Sequence, residues 1–576
     1  MVWTNASISV KASGAAPNRW DLVALPLVIG LLVLIAIGGH EMSAPLESVE
    51  AAPVSLSPWD LPDYALRSTL RMLAAMAASL LFTFTYATLA AKSRRAEMVL
   101  IPVLDVLQSV PVLGYISFTV AFFLSLFPGS VLGAECAAVF AIFTSQAWNM
   151  AFSFYQSLRS VPRDLDEAAA SFRFSGWQRF WKLEAPYAMP GLVWNMMMSM
   201  SGGWFFVVAS EAITVGDRSI TLPGVGAYLA EAIAQKDLGA VGWAVLAMLV
   251  VILAYDQLLF RPLVAWADKF RFEQTGGREA PESWLLDLFQ RTGFFRALFA
   301  PVGAAVDRLA WLRLSLPPGM ARPVGAAGSR MLDRAWYAVL AAAGLYAGWT
   351  MVSFIASGAG WGDVAGVVLL GAVTLLRVVL LIAVATLVWV PVGVLIGLRP
   401  RLAEKVQPVA QFLAAFPANL LFPVAVVGIM RFDLSPDLWL SPLMILGTQW
   451  YILFNVVAGA AAFPNDLKEA AANFRIRGWQ WWRDVMLPGV FPYYVTGAIT
   501  ASGGSWNASI VAEAVSWGDS QVTAHGLGSY ISRATAAGDY PRIVLGIAVM
   551  SLFVILFNRL FWRPLYGYAE RRLRLA

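Results

Sequence analysis

Four glutamates lie in sequence surroundings in which an acid could have a function. Glu167 and Glu469 each open a Glu-Ala-Ala run within a polar stretch, whereas Glu211 and Glu513 each follow a long apolar run. The polar pair could bind a partner through its charge, and the apolar pair could line a path or brace the structure. Both pairs are 302 positions apart (469 − 167 and 513 − 211), which indicates an internal duplication.

The chain has none of the usual patterns of catalytic or metal-binding residues. It lacks a Gly-x-x-x-x-Gly-Lys-Ser/Thr phosphate loop and a Gly-x-Ser-x-Gly elbow, and Cys136 is its only cysteine. His40 and His525 are the only histidines, too few for a metal site of usual form. We therefore expect no catalytic residue, no metal, no cofactor and no enzyme activity in this chain.

The duplicated polar stretches span residues 164–186 and 466–488. They read DLDEAAASFRFSGWQRFWKLEAP and DLKEAAANFRIRGWQWWRDVMLP. Each contains Glu and Ala, which favour helix, next to charged residues, so each stretch predicts a short helix outside the bilayer. Two such exposed helices would need partners.

The composition indicates a polytopic membrane protein. Of the 576 residues, 59% are hydrophobic and only 13% are charged, and the mean hydropathy is +0.66. The formal net charge of +5 could suggest nucleic acid as a partner, but the basic residues adjoin apolar spans, where membrane topology accounts for them. We expect a lipid environment and no nucleic-acid partner.

Apolar runs predict about twelve membrane-spanning helices, six in each copy. They lie near residues 22–38, 72–91, 100–127, 131–155, 187–213 and 239–260, and near 336–356, 378–398, 406–430, 438–462, 489–515 and 543–562. The basic cluster Lys92, Arg94 and Arg95 favours the cytoplasmic side, which places both polar stretches and both termini in the cytoplasm. The first run could instead be a signal peptide, but no clear cleavage site follows it.

The duplication divides the chain into four predicted parts. Residues 1–64 would form a first helix and a periplasmic loop, 65–262 a first unit, 263–334 a linker on the cytoplasmic side and 335–576 a second unit. The linker is basic, and its apolar residues near 284–299 recur at helical spacing, which predicts short amphipathic helices on the membrane surface; a solvated linker is the alternative. Because six spans return each unit to its starting side, the halves can face each other across a pore.

The polar stretches resemble the EAA loops of ABC-importer permeases, the cytoplasmic segments that dock on the ATP-hydrolysing subunit. The resemblance lies in the Glu-Ala-Ala runs and in the later Pro186 and Pro488, whereas Arg173 and Arg475 stand where the family usually has Gly. The order of spans is similar to that of type I importer permeases of the nitrate, sulfonate and taurine branch, here with two permease units fused in one all-α chain. The resemblance implies these ATPase-coupling residues: Asp166, Glu167, Ala168, Ala169, Arg173, Gly176, Lys468, Glu469, Ala470, Ala471, Arg475 and Gly478.

The same resemblance implies a function and a set of partners. The chain would be the permease subunit of an ATP-driven importer in a bacterial inner membrane, and two separate ATPase subunits would carry the ATP and Mg. A periplasmic solute-binding protein would deliver the solute, a small anion such as nitrate, a sulfonate or a taurine-like solute. Closure of the ATPases would draw the two coupling helices together and open the spans outward.

Polar residues on the span that follows each polar stretch are candidates for the solute pathway or its gate. They are Asn195, Ser199, Trp204, Glu211, Thr500, Trp506, Asn507 and Glu513. Packing through small residues is the alternative for the small polar members, and capping of the following Gly-rich segment is the alternative for the two acids.

Two other classes of protein are alternatives to this one. A twelve-span secondary transporter of the major-facilitator type also has two halves of the same orientation, but it does not need a matched Glu-Ala-Ala helix in each half. A membrane-embedded enzyme would need a cluster of catalytic residues, and none is visible in the sequence.

Overall fold

A computed structural model of the chain describes residues 18–41, 54–215, 218–270, 283–313 and 326–573. Most of the predicted periplasmic loop, at 42–53, and two parts of the linker, at 271–282 and 314–325, lie outside these residues. The described residues are mainly helical, which confirms the all-α polytopic class, with two short hairpins that the sequence did not predict.

The described residues of the first half and the linker form thirteen α-helices and one antiparallel hairpin. They are α1 Asp21–Glu41, α2 Leu61–Lys92, α3 Arg94–Ser109, α4 Val112–Leu126, α5 Val131–Arg159, α6 Arg163–Ser171, α7 Gly176–Arg179, α8 Ala185–Ser210, β1 Ala212–Val215, β2 Arg218–Thr221, α9 Val225–Ala234, α10 Leu238–Tyr255, α11 Arg261–Asp268, α12 Trp284–Arg291 and α13 Gly293–Ala310. A short 3₁₀-helix, Pro58–Asp60, precedes α2.

The second half repeats this order from α2 onward, after one further helix. Its elements are α14 Ala326–Ala356, α15 Trp361–Gly397, α16 Pro400–Ala415, α17 Phe422–Arg431, α18 Pro436–Trp439, α19 Trp450–Ala461, α20 Asn465–Asn473, α21 Gly478–Trp481, α22 Leu487–Ala512, β3 Ala514–Trp517, β4 Ser520–Thr523, α23 Leu527–Ala536, α24 Tyr540–Phe557 and α25 Arg563–Arg572. Two 3₁₀-helices, Ala418–Leu421 and Ser441–Met444, lie in this half.

Fewer helices than the predicted twelve are single, straight spans. Within the described residues six helices are long and apolar enough to cross a membrane, or eight if each of two bent pairs counts as one span. The bent pairs are Gly176–Met200 with Gly202–Ser210, at 42°, and Pro408–Ala415 with Ala418–Arg431, at 75°. The prediction at 100–127 is divided into α3 and α4, and that at 438–462 into α18, a 3₁₀-helix and α19.

Proline is the physical reason for the breaks at equivalent points of the two halves. Pro111 separates α3 from α4, and Pro417 separates α16 from the next helical turn. A proline has no N–H to donate and restricts the residue before it to extended backbone, so a helix ends there. Val110 and Phe416, the residues before the two prolines, are extended with ψ of 126° and 127°.

Each polar stretch joins the following span through one wide turn. The π-helical segments Phe180–Glu184 and Trp482–Met486 lead into α8 and α22. Pro186 and Pro488 stand at the start of those helices and cannot donate the usual bond to the preceding turn. The π-turns close just before these prolines, where the Ala185 and Leu487 N–H groups donate to the Phe180 and Trp482 carbonyls, five residues earlier.

The cores of the two halves are alike. α5 packs between α2 and α8 in the first half, and α19 packs between α15 and α22 in the second. Contacts between the halves are also reciprocal, because α24 packs against α3 and α4 while α10 packs against α16 and the 3₁₀-helix Ala418–Leu421. The broken spans therefore lie at the interface between the halves.

Candidate functional site

The Glu-Ala-Ala runs form two matching helices, as the sequence predicts. α6 and α20 have nine residues each and begin after Pro162 and Pro464. Glu167 and Glu469 are exposed, whereas Ala169 and Ala471, two positions later, are buried. Each helix therefore presents its glutamate on an outer face and packs through the third residue of the run. Ala168 is exposed and its counterpart Ala470 is half-buried.

The two arginines in place of the family's glycine end these helices. Arg173 and Arg475 have φ of 51° and 53°, in the left-handed region that favours glycine. In the first copy the Arg173 N–H donates to the Ala170 carbonyl at 2.9 Å, and the Phe174 N–H donates to the Ala169 carbonyl at 3.1 Å. The second copy has the same two bonds at equivalent positions. Both loops thus have the backbone that a glycine would give them, and both arginine side chains are exposed.

The short helices that follow, α7 and α21, begin differently. Ser175 accepts from the Gln178 N–H, and the Gln178 side chain accepts from the Ser175 N–H, a reciprocal cap on α7. Arg477 replaces this serine and gives α21 no side-chain cap. Gly478 has φ +60, whereas Gly176 does not lie in the left-handed region. The two segments therefore differ in backbone where they differ in sequence.

Asp166 and Lys468, the charged residues before the two glutamates, have different partners. Asp166 pairs with Arg179 at 2.8 Å, and Arg179 also pairs with the buried Glu184 at 2.9 Å. Lys92, in the predicted cytoplasmic cluster, pairs with the same Glu184. The Lys468 side chain donates to the nearby Asn465 side chain, at 3.3 Å. The first segment is thus tied to the end of α2.

The candidate pathway residues of the first half are mostly enclosed. Asn195 donates to Ser153 Oγ at 2.8 Å and to the Gly191 carbonyl at 3.0 Å, contacts that serve helix packing. Ser199 and Trp204 are buried, and neither the Ser199 hydroxyl nor the Trp204 indole N–H has a hydrogen-bond partner among the described residues.

In the second half the candidates differ in exposure. Thr500 is exposed and donates to the carbonyl of Thr496 at 3.1 Å, one helical turn earlier. Trp506, the counterpart of Trp204, is buried, and its indole N–H likewise has no partner among the described residues. Asn507 is half-buried and lies where the halves meet.

A reciprocal pair of hydrogen bonds joins the halves at the broken spans. The Val112 N–H, directly after Pro111, donates to Asn507 Oδ1 at 2.8 Å. Asn419, just after Pro417, donates to the Phe205 carbonyl at 3.2 Å. Phe205 and Asn507 are 302 positions apart (507 − 205), so the same point of α8 and α22 contacts the break of the opposite half.

Glu211 belongs to a buried network rather than to an open path. Arg71 donates to Glu211 at 2.7 Å and, through two nitrogens, to Glu135 at 2.6 Å each. The Glu211 carboxylate also accepts from the Ser68 hydroxyl at 2.6 Å and from the Gly226 N–H at 2.7 Å. The Arg71 and Glu211 side chains are 0% exposed. These contacts fit the alternative in which the acid braces the segment that follows it.

The second half contains the same network with one opening to the surface. Glu513 accepts from Thr374 at 2.9 Å, Arg377 at 3.1 Å and the Gly528 N–H at 2.8 Å. Arg377 also donates to Asp437 at 2.7 Å. Asp437 matches Glu135 by the 302-residue shift, but its side chain is 45% exposed.

The exposed end of this second network carries a histidine. Asp437 accepts from the His525 N–H at 2.7 Å and lies 3.0 Å from the His525 ring. Partial burial raises the pKa of Asp437, but the hydrogen bonds from His525 and the charge of Arg377 outweigh it and hold the pKa below its ordinary value. In the first half Pro223 occupies the position of His525 and contributes only its carbonyl, to Arg71.

Sequence reasoning identified the two buried acids but missed their partners. These partners are Arg71 and Arg377, which pair with Glu211 and Glu513. A signal was present, because an arginine and a small hydroxyl residue, Ser68 or Thr374, recur three positions apart at the same shift of 306 (374 − 68 and 377 − 71). A cation inside a span needs an acid to pair with it.

No group of three or more His, Cys, Asp or Glu within the described ranges could hold a metal ion. The network acids are already occupied by arginine, hydroxyl and backbone donors. The buried acids thus pair with donors inside the protein, and the two Glu-Ala-Ala helices expose their glutamates.

The fold and the duplicated sites define a polytopic helical membrane protein built from two copies of one unit. The family model of the binding-protein-dependent transport system inner membrane component matches twice, at residues 83–260 and 389–575. These matches cover more than half of the chain, and the chain belongs to this family. Membership confirms the resemblance to ABC-importer permeases and the fusion of two units, and it argues against the secondary transporter.

Individual relatives are similar over the length of about one unit. The bicarbonate transport system permease protein CmpB of Synechococcus elongatus is 27% identical over 186 residues, 32% of this chain and 64% of that protein. The nitrate import permease protein NrtB of Leptolyngbya laminosa is 26% identical over 189 residues, 33% and 64% of the two chains. The taurine transport system permease protein TauC of Escherichia coli is 24% identical over 187 residues, 32% and 64%. The matches thus span slightly less than two thirds of these relatives.

Proposed function

We propose that this chain is the complete pair of permease units of an ATP-driven importer, with residues 65–262 and 335–576 as the two units. The observation that carries the proposal is the pair of matching Glu-Ala-Ala helices, each with an exposed glutamate and the same left-handed end. Family membership supports the permease role. ATP hydrolysis, with its Mg, belongs to separate subunits.

The exposed glutamates are the proposed contacts for two ATPase subunits, one on each segment. Both Glu167 and Glu469 stand at the centre of nine-residue helices whose other face is packed against the protein. An exposed charge at an interface directs docking when the partner carries the opposite charge there. Reversing its sign would place two like charges together and repel the partner. Both segments and both termini would lie in the cytoplasm, as the basic cluster after α2 favours.

The proposed solute pathway runs between the halves, along α8 and α22. The reciprocal bonds of Val112 with Asn507 and of Asn419 with Phe205 close the contact at the same depth of each half. A change in the angle between the halves would have to break both bonds together. Alternating access by relative motion of two like units provides such a change.

A small anion delivered by a periplasmic solute-binding protein is the proposed substrate class. The names of the relatives include bicarbonate, nitrate and taurine, the last an amino sulfonate. The buried acids are paired with arginine in both halves, so neither would repel a passing anion as a bare carboxylate. Thermal-shift screening of the binding protein with these anions would identify the solute.

Charge reversal on the two helices tests the coupling role. Glu167→Lys and Glu469→Lys should each abolish uptake and reduce co-purification of the ATPase, because a cation would replace the docking anion. Asp166→Lys is the matched control and should be mild, since its exposed pair with Arg179 is worth at most about 1 kcal/mol.

Uptake in vesicles, ATPase content of the purified complex and the amount of chain in the membrane are measured for the three variants. Normal uptake in both glutamate variants would show that these helices do not couple to an ATPase.

Purified chain alone should not hydrolyse ATP, and two ATPase subunits per chain should co-purify; one or four would contradict the two-unit arrangement.

A further inference from the structure

The linker helix α13 is held at both of its ends. At its start, the Gly293 and Phe294 N–H groups donate to the two carboxylate oxygens of Asp21, at 3.2 and 3.1 Å. Asp21 is the first residue of α1, and Ala24 of the same helix is buried against α12. The linker is therefore anchored to the N-terminal helix by a capping carboxylate.

The other end of α13 contacts the first proposed coupling segment, which is the polar stretch at residues 164–186. Trp177 donates its indole N–H to the Leu309 carbonyl at 2.7 Å, and Gln178 donates to the Trp311 carbonyl at 2.9 Å. The Lys182 ammonium pairs with Asp307 and lies 4.6 Å from the centre of the Trp311 ring. The same ring meets Phe174 edge-on at 6.0 Å between centroids.

α13 connects these two anchors as one continuous helix, with Pro301 in its interior. It has 18 residues and is therefore about 27 Å long. Its outward face is apolar, with Leu298, Val302, Val306 and Leu309 all about half exposed. Such an apolar face is typical of a helix that lies in the membrane surface, parallel to the bilayer.

The second coupling segment has no equivalent support among the described residues. None of their hydrogen bonds, ion pairs or ring contacts joins the linker to residues 464–488. Trp479, the counterpart of Trp177, is 72% exposed, and Lys182 is replaced by Asp484. Ile476 and Asp484, the counterparts of the two residues that hold Trp311, line an open cavity of about 340 Å³.

We propose that α13 is a strut that positions the first coupling segment, with Asp307 and Trp311 as its positioning residues. The proposal rests on the proposed coupling role of this segment. Its contacts are with residues 174–182 and leave Glu167 exposed, so the proposed docking residue stays accessible while the segment is connected to α1. The second segment takes its orientation from its own half and from the ATPase alone.

Hydrogen exchange on the purified chain without ATPase tests the strut itself. In the unchanged protein, amides of residues 174–182 should exchange about tenfold more slowly than those of 476–484, because a charge-assisted bond and a ring contact must open first. Asp307→Lys and Trp311→Ala, both at partly exposed sites, should remove this difference and leave 476–484 unchanged. Equal exchange of the two segments in the unchanged protein would overturn the proposal.

Charge exchange provides the decisive control. The double variant Lys182→Asp with Asp307→Lys restores an ion pair and should restore slow exchange, whereas Asp484→Lys, the matched change in the second segment, should leave exchange of residues 174–182 unchanged. Failure of the double variant to exceed Asp307→Lys would refute the role of the pair.

Reconstituted complexes then connect the strut with coupling. Asp307→Lys should lower the number of solute molecules moved per ATP several-fold, with ATPase binding retained, and the double variant should recover it. An unchanged ratio in a chain whose first segment has lost protection would overturn the positioning role. If the segment is held but Glu167→Lys transports normally, the coupling proposal fails while the strut stands.

Discussion

Removal of Arg71 should destabilise the protein far more than removal of Arg377, its counterpart in the second half. Arg71 is fully buried and neutralises two carboxylates, of which Glu135 is 4% and Glu211 0% exposed. Arg71→Met leaves both acids buried without a counter-charge. Arg377→Met leaves Glu513 with its hydroxyl and backbone donors and leaves Asp437 with water and His525.

The size of the difference follows from this exposure. Breaking a buried ion pair by removing one partner costs about 3–5 kcal/mol. For a unit of this size, that loss corresponds to a fall in melting temperature of roughly 10 °C. For Arg377→Met we expect about half of this loss, because one of its two acids is 45% exposed and keeps its hydration.

The assay is thermal denaturation of the two variants in detergent, followed by the loss of the monodisperse peak on size exclusion. The triple variant Arg71→Met, Glu135→Gln and Glu211→Gln removes all three charges and should recover part of the loss, since neutral groups cost less to bury. Melting temperatures of the two single variants within about 2 °C of each other would refute the argument from burial.

Two further predictions concern glycines. Gly224→Ala should lower the melting temperature markedly, because the added Cβ would lie 2.3 Å from the carboxylate carbon of Glu211. The control is the melting curve of Gly242→Ala, because nothing lies within 4 Å of that site and its helix favours alanine. Gly478→Ala should cost about 1 kcal/mol, because its φ is +60, whereas Gly176→Ala at the equivalent position should be neutral; equal melting points would contradict the backbone difference between α7 and α21.

The duplication and the two Glu-Ala-Ala helices could be predicted from the sequence because both depend on local spacing. Because the Glu-Ala-Ala run recurs after 302 residues in similar surroundings, it predicts two similar helices, and α6 and α20 are equal in length. The number of straight spans could not be predicted, because hydropathy measures burial in lipid or protein alike. The segment at 438–462 is apolar enough to suggest a span, yet it folds as three shorter pieces inside the second half.

The hairpins and the networks needed contacts that sequence order does not give. β1 and β2 are four residues each, too short for alternation to stand out in an apolar sequence. Glu211 and Arg71 are 140 positions apart, and only the packing of α2 against α8 brings them within 2.7 Å. Each departure thus arises where tertiary contact, not local propensity, determines the backbone.

The halves are alike inside and different at the coupling segments, and the connectivity of a fused chain explains part of this difference. The Arg–acid networks and the reciprocal bonds at the broken spans occur in both halves, since each depends only on residues that the duplication supplies twice. The linker exists once. Its helix can lie against one coupling segment, and Lys182, which pairs with Asp307, has the opposite charge at its counterpart Asp484. If two identical ATPase subunits dock on this chain, as proposed, they would therefore meet one segment connected to α1 through the linker and one held by its own half. A difference between their two docking steps would then follow from the permease alone.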